Sequence, residues 1–145
     1  MGIEETRKWV SLMVISDLGK GKSDELLTTS LIRAKFGELL AEKAGLGSRK
    51  DEAFLMGMFS LIDVLLQRPL GEILNQLPLA QDLMDALLTG AGQMGDIFQL
   101  ILAYEKGDWE KMTSITQKLK MNVTAVPDCY LKALAWTNKL RKGMK

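Results

Sequence analysis

The chain of 145 residues contains no histidine. That removes the commonest metal ligand and the commonest general base together. It has one cysteine, Cys129, so no internal disulfide can form, which suits a reducing compartment such as the cytoplasm. There are only three prolines, at 69, 78 and 127, and each sits where a helix could begin. Neither sign of charge is in excess: the formal net charge is +1. Nothing therefore calls for a nucleic-acid or anionic-membrane partner. The apolar run from Trp9 to Ile15, bracketed by Lys8, Asp17, Lys20 and Lys22, is too short to cross a bilayer and lacks the form of a signal peptide. Low-complexity tracts and internal repeats are missing, and no segment alternates apolar and polar residues long enough to argue a strand.

What remains is helical pattern. The hydrophobic fraction of 47% and the charged fraction of 26% are ordinary for a soluble globular protein. The length suits one domain over residues 1–145. The organising stretch is Leu26 to Leu66, two helices joined at Ala44-Gly45-Leu46-Gly47, where glycine can stop a helix in the left-handed conformation. Leu27, Leu31, Ala34, Leu39 and Ala41 can share a buried face of the first. The second starts after Ser48 as N-cap, with Asp51 and Glu52 in the first turn. It continues to about Gln67, and Phe54, Leu55, Met58, Phe59, Ile62, Leu65 and Leu66 leave it little polar surface. A helix so apolar is central and covered.

Further helices are expected over 3–18, before the flexible Gly19-Lys20-Gly21-Lys22 break and a Ser23 cap, and over 69–76 and 79–88, each opened by a proline. A loop at Thr89 to Gly92 leads to Met94–Glu105. Gly107 breaks that helix and Asp108 caps the next. The connector Asn122 to Ala125 precedes a last helix opened by Pro127, with a basic end that suits the dipole. The whole is an all-α fold of about seven to nine helices.

Candidate chemistry is sparse. Asp63, Asp82 and Asp85 lack a ligand spacing, and no histidine can join them, so helix-end or surface carboxylates are the preferred reading. Asp63, on the most apolar helix, needs a partner if buried, and Arg33 or Arg68 could supply it. Cys129 stands at a helix start, where the dipole could lower its pKa. Without a histidine base, a small buried hydrophobe is the better reading. Gly19 to Ser23 has the wrong glycine spacing for a phosphate loop, and no strand precedes it. Trp9, Trp109 and Trp136 are spread over three helices as core anchors or, where exposed, partner anchors. Lys139, Arg141, Lys142 and Lys145 form a short basic tail, read as a solvated helix end.

Five stretches carry a resemblance to a family: Gly2 to Met13, Leu31 to Leu46, Asp51 to Leu66, Pro69 to Leu79 and Ala103 to Trp109. Of these, DEAFLMGMFSLID is the most specific. Together they resemble the second part of an HDOD domain, the HD-related output domain of bacterial signalling proteins, in the version that follows an EAL domain. The resemblance implies a helical fold related to HD phosphohydrolases without their metal centre. Thr29 then stands where an HD enzyme has its first histidine, and Ser60-Leu61 where it has the His-Asp pair. HDOD domains have several helices before the Gly2 segment, so the chain reads as a C-terminal piece of a longer protein. The missing helices would leave an apolar face to be covered by self-association or another domain.

The expectation is a non-catalytic, cytoplasmic output or protein-interaction domain of a cyclic-di-GMP signalling protein. It needs no cofactor or metal, forms a homodimer or docks to other domains, and binds neither nucleic acid nor membrane. Asp63, Arg33 and Trp109 are its candidate buried-polar or interface residues. The alternatives are a metal-dependent HD-type phosphohydrolase with a degenerate site near Thr29 and Asp63, and a purely structural dimerisation module.

Overall fold

A computed structural model of the chain describes residues 24–61, 69, 71–72 and 79–143. Helices are the only regular structure among the described residues. In chain order the helices are α1 (Asp24–Lys43), a 3-10 turn (Gly47–Arg49), α2 (Lys50–Phe59), α3 (Gln81–Thr89), α4 (Gly92–Lys106), α5 (Trp109–Lys118) and α6 (Ala125–Gly143). The expected helices over 3–18 and most of 69–76, with the Gly19–Lys22 break, the Ser23 cap, Trp9 and Arg68, lie outside the described residues.

Helix α1 stops where glycine was expected to stop it. Gly45 takes a φ of 78°. Its amide donates to the Glu42 carbonyl at 3.3 Å, and the Leu46 amide donates to the Ala41 carbonyl at 2.8 Å. This paired closure satisfies carbonyls that a helix end leaves orphaned. The same closure ends α4 at Gly107, where Asp108 N–H donates to the Ala103 carbonyl at 2.9 Å. Asp108 then caps α5, its Oδ1 accepting from the Lys111 amide at 3.1 Å. Ser48, by contrast, is not a cap. It lies within the 3-10 turn, and Arg49 precedes α2 with no side-chain cap bond. The turn carries the chain directly from one helix into the next, so no serine hydroxyl is needed there. Asp51 and Glu52 do occupy the first turn of α2.

Helix α2 is the centre. Every residue from Ala53 to Ser60 is buried, so the helix is covered all round. It ends at Phe59 rather than near Gln67; Ile62, Leu65 and Leu66 lie outside the described residues. Helix α1 packs against α2 and, along another face, α6; α3 packs on α4 and α4 on α5. The buried face of α1 includes Leu27, Leu31, Ala34 and Ala41 as expected, together with Phe36 and Leu40. Leu39 is only half-buried, because α6 draws Phe36 and Leu40 inward instead.

The α1–α2 contact is close because glycines face backbone across it. Gly37 lies against the Ala53 carbonyl, and Gly57 against the backbone of Arg33 and Ala34. These pairs fix an antiparallel register, 37 opposite 53 and 33 opposite 57. Helix α6 starts at Ala125, two residues before Pro127, which sits harmlessly in the first turn. The Thr89–Gly92 loop is likewise shorter than expected, only Gly90 and Ala91 separating α3 from α4. The segment Gln81–Lys106 passes a length-and-composition test for a membrane span. The break at Gly90-Ala91 divides that segment into two shorter helices, and half of the apolar stretch is buried inside the fold.

Candidate functional site

The polar centre of the described fold is Arg33. It projects from the mid-part of α1, where the helix crosses Gly57. Its Nε donates to Glu105 Oε2 at 2.9 Å and its Nη2 to Glu105 Oε1 at 2.8 Å. This two-pronged pairing ties α1 to the last turn of α4 with the fork geometry that suits guanidinium and carboxylate. The third arm, Nη1, donates to Ser60 Oγ at 3.2 Å. Side-chain exposure is 13% for Arg33 and 25% for Glu105. The pair is thus partly shielded, worth on the order of 1–2 kcal/mol rather than the few tenths of an open surface pair.

Ser60 follows the last residue of α2. Its hydroxyl donates to the Gly57 carbonyl at 2.6 Å and accepts from Arg33. Thr29 lies on α1 one turn before Arg33 and is half-buried; Leu61 follows Ser60 in the turn and is half-buried. The structure therefore brings Arg33 and Ser60 together, with Glu105 as the third member. Asp63 lies outside the described residues. Neighbouring Ser30 is fully buried, and its hydroxyl has no hydrogen-bond partner among the described residues. No group of three or more His, Cys, Asp or Glu that could hold a metal occurs among the described residues. Of the expected carboxylates, Asp82 pairs with Arg49, which also holds Glu52 at 2.7 Å, and Asp85 accepts from Gln81 at 2.9 Å.

Beside Glu105 an aromatic ladder runs from core to surface. Phe36, fully buried, meets Tyr104 and Tyr130 edge-on at 5.6 and 5.3 Å. Tyr104 and Tyr130 are 4.8 Å apart. Tyr104 in turn meets Trp109 at 6.3 Å, nearly perpendicular. Trp109 is 61% exposed, and Leu131, next to Tyr130, is 63% exposed. Burial pushes the Tyr130 phenol above its ordinary value, and the Glu105 charge adds to the shift. Sequence reasoning singled out Trp109 but missed Glu105, Tyr104 and Tyr130. The only local hint for Tyr104 and Glu105 was their place in the Ala103–Trp109 stretch, and Tyr130 had none.

Trp136 is a core-side anchor. It meets Phe54 edge-on at 5.7 Å, and the Lys35 ammonium lies 5.4 Å from its ring centre. Cys129 is buried, and burial raises its thiol pKa above the ordinary 9.0. That is opposite to the lowering a helix N-terminus could bring. Desolvation outweighs the dipole here because the side chain faces the core. Lys139 and Lys142 are exposed, as a solvated helix end requires.

Fold and site define an all-α domain with an arginine–glutamate–serine network at its polar centre and, among the described residues, an exposed aromatic at Trp109. The chain is 32% identical over 142 residues to the cyclic di-GMP phosphodiesterase CdgJ of Vibrio cholerae, an alignment covering 98% of this chain and 33% of CdgJ. It is 35% identical over 145 residues to the uncharacterized protein YuxH of Bacillus subtilis, covering 97% of this chain and 34% of YuxH. The chain thus spans about a third of the length of these curated relatives. No family model and no solved structure matches it.

Proposed function

We propose that this chain is a non-catalytic output domain of a bacterial cyclic-di-GMP signalling protein, of the HDOD kind its sequence resembles, working in the cytoplasm by protein–protein contact. The observation that carries the non-catalytic reading is the network at Ser60. The resemblance puts Thr29, Ser60 and Leu61 where an HD enzyme has His, His and Asp. Here Ser60 is instead engaged by an arginine cation. With its proton given to the Gly57 carbonyl and a lone pair taken by Arg33, that hydroxyl is a poor ligand for a divalent ion. The signalling context comes from CdgJ, whose name gives cyclic-di-GMP hydrolysis. That activity belongs, in this reading, to an EAL-type domain in the portion of such proteins that this chain does not span.

The contact surface is the one around the exposed Trp109, and its occupant is a second copy of the chain. Along the chain its rim is of mixed sign, with exposed Lys106 and Lys111 on either side of exposed Asp108 and Glu110. An evenly mixed rim lets two identical faces approach without net repulsion, where a rim of one sign would oppose it. No cofactor, nucleic acid or membrane enters this function.

Two measurements test it. Incubation of the purified chain with cyclic-di-GMP and Mn²⁺ or Mg²⁺ should leave the nucleotide intact by chromatography. Turnover that a chelator abolishes would restore the phosphohydrolase alternative. Light scattering over a concentration series should approach twice the 16.1 kDa chain mass, and Trp109→Ala should shift it toward one. A mass of one chain at every concentration rules out the self-association reading.

A further inference from the structure

In an uninterrupted α-helix the Gly57 carbonyl would accept the amide of Leu61, four residues on. Here Ser60 takes that carbonyl twice, through its amide at 3.3 Å and its hydroxyl at 2.6 Å. Helix α2 accordingly ends at Phe59. The local sequence offers no other reason to stop, since neither glycine nor proline occurs between Phe59 and Gln67 and the apolar pattern runs on. A serine hydroxyl bonding back to its own helix bends it but does not by itself end it.

What differs at Ser60 is its second bond. Arg33 Nη1 donates to Ser60 Oγ, so the hydroxyl must use its one proton elsewhere, and Gly57 is the acceptor in reach. The cation also polarises the hydroxyl and strengthens that donation. Arg33 is held in place by its two bonds to Glu105, which sits on α4, 72 residues away in sequence.

We propose that the Arg33–Glu105 pair is a clasp that sets a conformational hinge at Ser60–Leu61. With the clasp closed, Ser60 occupies the Gly57 carbonyl and α2 ends at Phe59. With the clasp open, the serine loses its orienting donor, the Leu61 amide takes the Gly57 carbonyl, and α2 lengthens. The chemistry that opens it is a basic group that draws Glu105 from Arg33. Glu105 lies next to Tyr104 and four residues before the exposed Trp109, so a protein seated there can bring such a group. This trigger rests on the interaction reading; the clasp itself does not.

The test is residue-resolved amide exchange by NMR on the whole chain, comparing the parent with Glu105→Gln and Ser60→Ala. Glu105→Gln keeps the shape of a partly exposed side chain, and Ser60→Ala removes one oxygen, so dispersed spectra are expected of both. The Leu61 amide should exchange about tenfold more slowly in each variant, the gain of one hydrogen bond, with Ala53 to Met56 unchanged. Unchanged or faster exchange of Leu61 in Glu105→Gln overturns the clasp, as does slowing in only one variant. These results are independent of the light-scattering mass, so failure of the clasp and failure of the interaction reading are distinguishable.

Discussion

Replacing Gly57 with alanine puts a methyl group where α1 already has backbone. The added Cβ would lie 2.7 Å from the Ala34 amide nitrogen and nearer still to the Arg33 carbonyl, below the 3.0 Å that real Cβ contacts respect. Neither neighbour is a side-chain tip that can swing aside, so the two helices must separate by about 1 Å. A gap of that size forfeits roughly a quarter to a half of each dispersion contact across the interface, at about 0.1–0.2 kcal/mol per optimal atom pair. Phe54, Met58, Leu31 and Ala34 all lie in that packed region and are fully buried. Overpacking of this kind costs typically about 1–3 kcal/mol, occasionally more. Alanine returns up to about 1 kcal/mol in helix propensity. Because backbone rather than side chain is struck, the upper part of the range applies, for a net loss of about 2–3 kcal/mol. For a chain of this size that corresponds to a fall in melting temperature of roughly 5–10 °C. Thermal unfolding followed by circular dichroism at 222 nm measures it. Gly47→Ala is the control, since a Cβ there meets nothing within 4 Å and the backbone is not left-handed. A Gly57→Ala protein that melts within 2 °C of the parent (about 1 kcal/mol or less) would refute the close helix crossing.

Other perturbations follow from the same geometry. Ser30→Ala removes a buried hydroxyl without a partner and should raise the melting temperature by a few degrees, about 1 kcal/mol; a lower melting point would mean that the hydroxyl is bonded. Asp108→Ala deletes the α5 cap and should cost about 1 kcal/mol in urea unfolding, with unchanged stability arguing against the cap. Stability should decline as pH rises above about 9, because Cys129 and then Tyr130 hold raised pKa values when folded. The unfolded chain loses those protons first, so alkali favours unfolding up to and through the folded pKa values. Urea midpoints from pH 8 to 11 check this, and Cys129→Ala should delay the onset. A thiol reagent at pH 8 should label Cys129 slowly in the native protein and quickly in urea; equal rates would place the thiol at the surface.

Much of the fold is written locally. Gly45, Gly107 and Asp108 end or begin helices through bonds made within a few residues of themselves. The apolar repeat of α2 announces a covered helix, since seven residues from Ala53 to Phe59 leave no polar face. Lack of histidine bears on catalysis without any geometry. Local signals mislead where a neighbour in space supplies what the sequence is read to need. Ser48 looks like a cap, but a 3-10 turn joins the helices and leaves it nothing to cap. Leu39 fits the apolar spacing, yet the position of α6 selects Phe36 and Leu40.

Tertiary structure alone decides the polar centre. Arg33 and Glu105 are 72 residues apart, and nothing in either neighbourhood marks them as partners. A long guanidinium arm pairs with whichever carboxylate packing brings within reach. The end of α2 at Phe59 is decided in the same way, because one hydroxyl competes with a backbone amide for the Gly57 carbonyl. Helical periodicity is a property of the chain, whereas the choice between two donors of similar strength is made by the cation that α1 places beside them.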